Sequence, residues 1–117
     1  MTSIVRNTYF VYILGNSRPT LYTGVTNDLI KRVWQHKQEV VDGFTKKYHL
    51  HNLVYYEVIE GQLQAIIREK QIKDTNRKDK LNMIKKFNPA LKDLYADILE
   101  DSGQARLVES AKRARMT

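Results

Sequence analysis

Two tyrosines, Tyr12 and Tyr22, followed by Arg32, His36 and, well downstream, Glu69, are the side chains of this sequence whose types could do chemistry together. Hydrolysis of a phosphodiester needs a nucleophile made from water, a cation to hold the phosphate charge, and a metal or an acid for the leaving oxygen. Tyr12 or Tyr22 could polarise water if neighbouring cations depress its phenol. Arg32 can grip a phosphate through two parallel N–H bonds, and Glu69 can offer a hard carboxylate oxygen to Mg²⁺. The chain has no cysteine, and no paired carboxylates or hydrolytic triad compete for the role.

For these groups to meet, the chain between them must turn back on itself. Thr8 to Leu14, TYFVYIL, is aromatic, β-branched and apolar on both alternating faces, which predicts a central strand of a covered sheet. Gly15 to Pro19 is turn chemistry and Thr20 to Thr26 a second short strand, so the pair reads as a hairpin with Tyr12 and Tyr22 on neighbouring strands. Thr26 or Asn27 caps a helix from about Asp28 to about Val41, with Leu29, Val33 and Val40 beside Ile30 and Trp34 as its core-facing stripe. Arg32 and His36 stand one turn apart and face the same way at the flank of that stripe. Asp42 to Asn52, holding Gly43, Lys46, Lys47 and His49, reads as an exposed basic loop, and Leu53 to Ile59 as the third strand.

Gly61 separates that strand from a helix running from Gln62 to about Asp74, with Ala65, Ile66 and Ile72 on one side. At about 100° per residue Glu69 falls within the same side. A carboxylate in an apolar stripe is costly unless it pairs or binds a cation, which makes Glu69 the most informative single position. Arg68, Lys73 and Arg32 are the ion-pair partners that would account for it without a metal. Asn76 caps a further basic helix through Phe87, which Asn88-Pro89 stops. Leu91 to Leu99 predicts one more short helix. Residues 1–100 therefore read as one domain, and residues 101–117 as a basic tail or frayed helix.

With 117 residues, one domain can bury a modest core. The lack of cysteine rules out disulfides and thiolate zinc sites and fits a reducing, cytoplasmic setting. No stretch approaches the roughly 20 apolar residues of a bilayer span, so no membrane partner is expected. Twenty Lys and Arg against thirteen Asp and Glu leave a formal charge of +7, which favours a polyanion. Lys70, Lys73, Arg77, Lys78, Lys80, Lys85 and Lys86 crowd one segment, while Lys112, Arg113 and Arg115 end the chain. Lys46, Lys47, Lys73, Arg77 and Lys78 are the expected nucleic-acid contacts.

Tyr12, then Tyr22-Thr23-Gly24, then Arg32, His36, Glu69 and Asn88 resemble, in order and spacing, the signature of the GIY-YIG nuclease superfamily. Within it the chain is similar to the short, single-domain bacterial UPF0213-type proteins of the YhbQ and YazA kind. The likeness runs from about Thr8 to Tyr95 and includes LYTGVTNDLIKRVWQH, REKQIK and NPALKDLY. Phe10-Val11-Tyr12 stands in place of Gly-Ile-Tyr, and Thr23 in place of isoleucine. A strand position pointing away from the cleft accepts Phe or Thr, and Gly24, on the face of Tyr22, keeps space beside the phenol. The resemblance implies an α/β (α+β) fold, a small three-stranded antiparallel sheet flanked by helices in β-β-α-β-α-α order, with the motif strands, the first helix and the glutamate helix converging on one cleft. It also implies that Tyr12 or Tyr22 is the general base, that Arg32 stabilises the phosphate, and that His36 assists. Glu69 would be the sole protein ligand of one Mg²⁺ or Mn²⁺, Asn88 would support the site from the far end of the fold, and no organic cofactor is called for.

The expected function is a metal-dependent endonuclease acting on DNA in repair or processing, with low sequence specificity because single-domain members lack the DNA-binding domain of larger relatives. The alternative is a nucleic-acid-binding module with weak or lost catalysis, resting on the basic helix 76–87 and the basic C-terminus. A protein-docking adaptor has no positive sequence feature behind it. Tyr9, Tyr55 and Tyr56 are expected in the core or at its rim, and Trp34 in the core.

Overall fold

Thr8–Gly15 forms β1, and its apolar residues on both faces have the expected consequence: it is the central strand of a three-stranded antiparallel sheet. The structure, a computed structural model, describes residues 7–101. β2, Leu21–Thr26, returns along one side of β1. The loop between them is closed by Asn16, whose Oδ1 accepts the backbone N–H groups of Arg18 at 3.0 Å and Thr20 at 2.7 Å. β3, Asn52–Glu60, pairs along the other side with an irregular register between Ile13 and Leu14, giving the order β2-β1-β3. Tyr12 lies opposite Gly24 and Leu14 opposite Tyr22, so both motif tyrosines and Gly24 share one face.

Among the described residues five helices accompany this sheet: α1 (Leu29–Lys37), α2 (Phe44–Lys47), α3 (Gln62–Asp74), α4 (Arg77–Phe87) and α5 (Tyr95–Asp101). On the tyrosine face, Tyr12 and Leu14 pack with Leu29 and Val33 of α1, with Leu50, Leu53 and Leu94, and with Ile98 of α5. On the opposite face, Val11, Ile13, Val54 and Tyr55 pack with Ala65 and Ile72 of α3 and Ile84 of α4. Each fully buried aliphatic side chain contributes about 1.5–3 kcal/mol, so two such clusters hold both helix layers to a sheet that is small for either alone. No helix among the described residues is long and apolar enough to cross a membrane.

Five sequence expectations are corrected. The cap of α1 is Asp28, whose carboxylate accepts the Lys31 N–H at 3.2 Å, while Thr26 instead receives the Asp28 N–H at 3.0 Å. The helix stops at Lys37 and Glu39 turns to φ 57, which leaves Val40 exposed. Trp34 is half exposed (50%) and is not core. At about 100° per residue it lies roughly 140° from Leu29, and His36 takes the third place in the buried stripe beside Leu29 and Val33. The basic loop after α1 contains the one-turn α2, which buries Thr45, and then buries Leu50. The last helix begins at Tyr95 rather than Leu91, because Leu91 has φ 52 and Asp93 ties the chain down first: its Oδ1 accepts the N–H groups of Leu53 at 3.1 Å and Tyr95 at 3.2 Å. The expected tail, apart from Asp101, lies outside the described residues.

Asn88, which follows α4, is buried and fully bonded. Its amide donates to the carbonyls of Val54 at 3.1 Å and Lys92 at 2.8 Å, and its Oδ1 accepts the Lys92 N–H at 3.2 Å. It therefore ties the end of α4 to β3. Asn88→Ala strips partners from buried backbone groups and is expected to cost about 1–3 kcal/mol, read as a lower urea midpoint with an unchanged slope.

Candidate active site

The hairpin and α1 bring three rings together on one face of the sheet. Tyr12 and Tyr22 have centroids 6.3 Å apart, and the His36 ring lies 5.8 Å from each. The Tyr12 hydroxyl is 3.0 Å from His36 Nε2, and His36 Nδ1 is 3.0 Å from Thr45 Oγ1, so a buried chain of hydrogen bonds runs from β1 through α1 to α2. One neutral imidazole serves both contacts, donating through one nitrogen and accepting through the other. Gly24 makes the arrangement possible. A Cβ there would lie 2.6 Å from Cζ and Oη of Tyr12, so the missing side chain makes room for the Tyr12 phenol. Thr23 points to the opposite face as expected. Phe10, two residues before Tyr12, does not point away: it packs on the tyrosine side against the same core cluster.

Burial decides the electrostatics. The Tyr12 phenol is pushed well above its ordinary value by burial first, then by Tyr22 and Glu69, while Arg32 pulls against them. For Tyr12 the expectation of a phenol depressed by cations is therefore overturned, because loss of solvation outweighs one guanidinium. Tyr12 has no exposed surface, whereas Tyr22 is half-buried and reaches solvent. His36 is pushed down to about 4 by burial, with Arg32 and His51 adding to the effect.

That depression has a sign for stability. Between pH 6.5 and about 4 an unfolded His36 takes up a proton that the folded protein refuses, so stability is complete above pH 6.5 and declines as pH falls through this window. Urea unfolding at pH 7, 6 and 5 is expected to show falling midpoints, with a flatter dependence in His36→Gln. Equal slopes in the two proteins would assign the effect to other groups, such as the paired carboxylates Glu39 and Glu57.

Arg32, one turn before His36 on α1, is half-buried, and its charge acts on both Tyr12 and His36. It borders a polar recess formed with Thr26, Asn27, Asp28, Lys31 and Gln35. A more apolar depression of about 300 Å³, lined by Phe10, Ile30, Tyr56, Val58 and Ile98 among others, does not include the phenols of Tyr12 and Tyr22. Glu69 sits within the buried stripe of α3 with its side chain 14% exposed and Oε2 3.1 Å from Lys73 Nζ. Arg68 is engaged elsewhere, with two guanidinium nitrogens 2.8 Å from the carboxylate of Glu57. Mg²⁺ accepts one protein carboxylate when waters and substrate phosphate complete its shell. Glu69 fits that donor set: among the described residues its ion-pair partner is Lys73, a half-exposed side chain free to swing into solvent.

The expected basic contacts divide into two groups. Lys46 and Lys47 lie on α2 beside the rings, Lys46 paired with Asp42 at 3.7 Å and the Lys47 ammonium 5.4 Å from the Tyr48 ring centroid. Lys73 is engaged by Glu69, Arg77 donates to the Pro19 carbonyl in the β1–β2 loop, and Lys78 is exposed at the start of α4. Asn88 bonds to Val54 and Lys92 and not to the ring cluster. Sequence reasoning missed Thr45, the buried partner of His36, and the exposed aromatics Phe44 and Tyr48. The Phe44 ring stacks on Tyr22 with centroids 6.4 Å apart and lies tilted against Tyr48 at 4.7 Å. The signal was the i, i+4 pair of aromatics around Thr45, Lys46 and Lys47, one helical turn.

The GIY-YIG catalytic domain matches residues 8–82, the span that holds both tyrosines, Arg32, His36 and Glu69. The chain belongs to the GIY-YIG family. It is similar to UPF0213 proteins of Staphylococcus aureus strains Mu3, Mu50 and N315, each 38% identical over 79 residues that make up 68% of this chain and 96% of the relative. Among GIY-YIG proteins it is thus of the UPF0213 type. The solution NMR structure of a UPF0213 protein from Bacillus halodurans is 25% identical, with a TM-score of 0.43 over 66% of this chain and 82% of that one.

Proposed function

We propose that this protein is a metal-dependent endonuclease that cleaves phosphodiester bonds in DNA with little sequence specificity, as a step in repair or processing in the cytoplasm. The single observation that carries this reading is the junction at Tyr12: its ring meets Tyr22 and His36, and its phenol feels the charges of both Arg32 and Glu69. Side chains of β1, β2 and α1 meet there, and the charge of Glu69 on α3 is felt there.

Tyr22, which reaches solvent, orients the attacking water and, in its phenolate form, takes the water's proton. Tyr12, buried and protonated, holds His36 and backs the Tyr22 ring. Arg32 directs its N–H donors at the phosphate oxygens as a new P–O bond forms and the bond to the leaving alkoxide breaks. A divalent ion held by Glu69 would supply Lewis-acid stabilisation of the leaving oxygen. On the substrate side, Phe44 and Tyr48 offer ring faces beside Lys46 and Lys47. Stacking on aromatic faces tolerates any base, which agrees with low specificity, and phosphate contacts make affinity fall with salt.

A second reading, a nucleic-acid-binding module without cleavage, is favoured by the Lys73 ammonium, which already neutralises Glu69. Labelled single-stranded, duplex and branched DNA, and RNA, incubated with Mg²⁺, Mn²⁺ or EDTA, separate the two. Cleavage that EDTA stops supports the nuclease, and salt-dependent binding without product on every substrate supports the module.

A further inference from the structure

Between the end of α1 and the start of β3, away from Glu69, three metal-binding side chains meet. Glu39 Oε2 lies 2.7 Å from His49 Nδ1 and 2.8 Å from His51 Nε2, and the ligand atoms of all three residues lie within 4.8 Å of one another. It is the one such group of three among the described residues. We propose that Glu39, His49 and His51 form a binding site for one divalent transition ion of the zinc class, which fastens the segment carrying α2 and keeps Thr45 against His36.

The donor chemistry selects the ion. Two imidazole nitrogens and one carboxylate oxygen suit Zn²⁺, Co²⁺ or Ni²⁺, whereas Mg²⁺ prefers oxygens alone, so this site and Glu69 sort different metals. Three protein ligands leave a fourth position for water. The access is there, since the side chains of Glu39, His49 and His51 are 27%, 72% and 37% exposed. With bonds of about 2.0 Å, tetrahedral ligands sit roughly 3.3 Å apart, so each ring needs to draw back from Glu39 Oε2 by only about half an ångström. Without metal, both ring N–H groups donate to the same carboxylate oxygen. On binding, each neutral ring carries its proton on its other nitrogen and turns the freed lone pair to the ion.

The backbone is shaped for this meeting. Glu39 and His49 both adopt left-handed conformations, φ 57 and 53, in which a side chain pays a steric cost that the surrounding structure must hold. His51 is braced as well: Lys37 Nζ donates to its carbonyl at 3.0 Å and also pairs with Asp93. The segment between these ligands contains Gly43 and α2, and hence Thr45, whose Oγ1 meets His36 Nδ1. An ion bridging Glu39 to His49 and His51 closes that segment at its base.

The test uses the full, tag-free chain, stripped of metal and titrated with Co²⁺ as an optical probe. One equivalent of Co²⁺ is expected to give visible d–d bands of tetrahedral intensity that Zn²⁺ abolishes and millimolar Mg²⁺ leaves alone. His49→Ala and His51→Ala should each weaken binding at least tenfold. Because both rings are substantially exposed, these variants keep the fold, which circular dichroism checks. Zn²⁺ should also raise the melting temperature of the parent by several degrees, not that of the His49→Ala/His51→Ala variant, and slow amide exchange across residues 42–50. Absence of stoichiometric binding at micromolar protein, or binding that persists in the double variant, overturns the site. Neither result depends on whether the protein cleaves DNA.

Discussion

Glu69→Ala is expected to lower metal-dependent cleavage by a factor of about 10³ or more, because it removes the carboxylate proposed to hold the metal and with it several kcal/mol of stabilisation of the leaving oxygen. The fold should not pay for the change. The Glu69–Lys73 pair joins two residues one turn apart, with Lys73 half exposed, and such pairs contribute no more than about 1 kcal/mol. Nor should DNA affinity fall, because the substitution frees the Lys73 ammonium for phosphate. Cleavage rates and fluorescence anisotropy on the same labelled DNA make the comparison, with Glu69→Gln preserving size without charge. A variant that cuts as fast as the parent in the same Mg²⁺ buffer would show that the metal is held elsewhere. If the parent itself never cuts, the binding-module reading stands.

The largest expected effect on stability belongs to Gly24→Ala. The added methyl would meet Cζ and Oη of Tyr12 at 2.6 Å and Cε1 at 2.9 Å, distances at which one partner must move. Tyr12 has nowhere to go: it is fully buried, bonded through its hydroxyl to His36, and packed against the Tyr22 ring. Overpacking of this kind costs about 1–3 kcal/mol. If the ring shifts, the buried His36 nitrogen loses its partner at a further cost of about 1–3 kcal/mol. Together these form a large part of the roughly 5–15 kcal/mol that holds a domain folded. Gly15→Ala is the matched control. Its Cβ would find Leu21 at 3.5 Å and Val54 at 3.6 Å, ordinary contact, and it should change stability by less than about 1 kcal/mol. Chemical unfolding of both variants decides the matter, and equal midpoints would mean that the Tyr12 pocket yields.

Local pattern alone was enough for much of this protein. The aromatic and β-branched run at Thr8 made β1 legible, Gly61 and the apolar spacing of Ala65 and Ile72 marked α3 from Gln62 to Asp74, and Asn76 marked the start of α4. These signals survive because capping, turn chemistry and side-chain periodicity act between near neighbours. The order Tyr12, Tyr22, Arg32, His36, Glu69 was likewise written in the chain. What the tertiary structure decided was which groups lose contact with water and what they meet when they do. Strand register set Gly24 against Tyr12, and packing of β1 beneath α1 buried one tyrosine and left the other half open. The same burial reversed the expected direction of the Tyr12 phenol and kept His36 neutral. Helical spacing placed Trp34 at the edge of a stripe without saying how wide that stripe would be, and His36 proved the better fit for its buried side. Thr45 beside His36, and Glu39 beside His49 and His51, come together only once the segment between α1 and β3 has folded, because pairs 9 to 12 residues apart lie beyond the reach of helical or strand periodicity and their desolvation is set by packing.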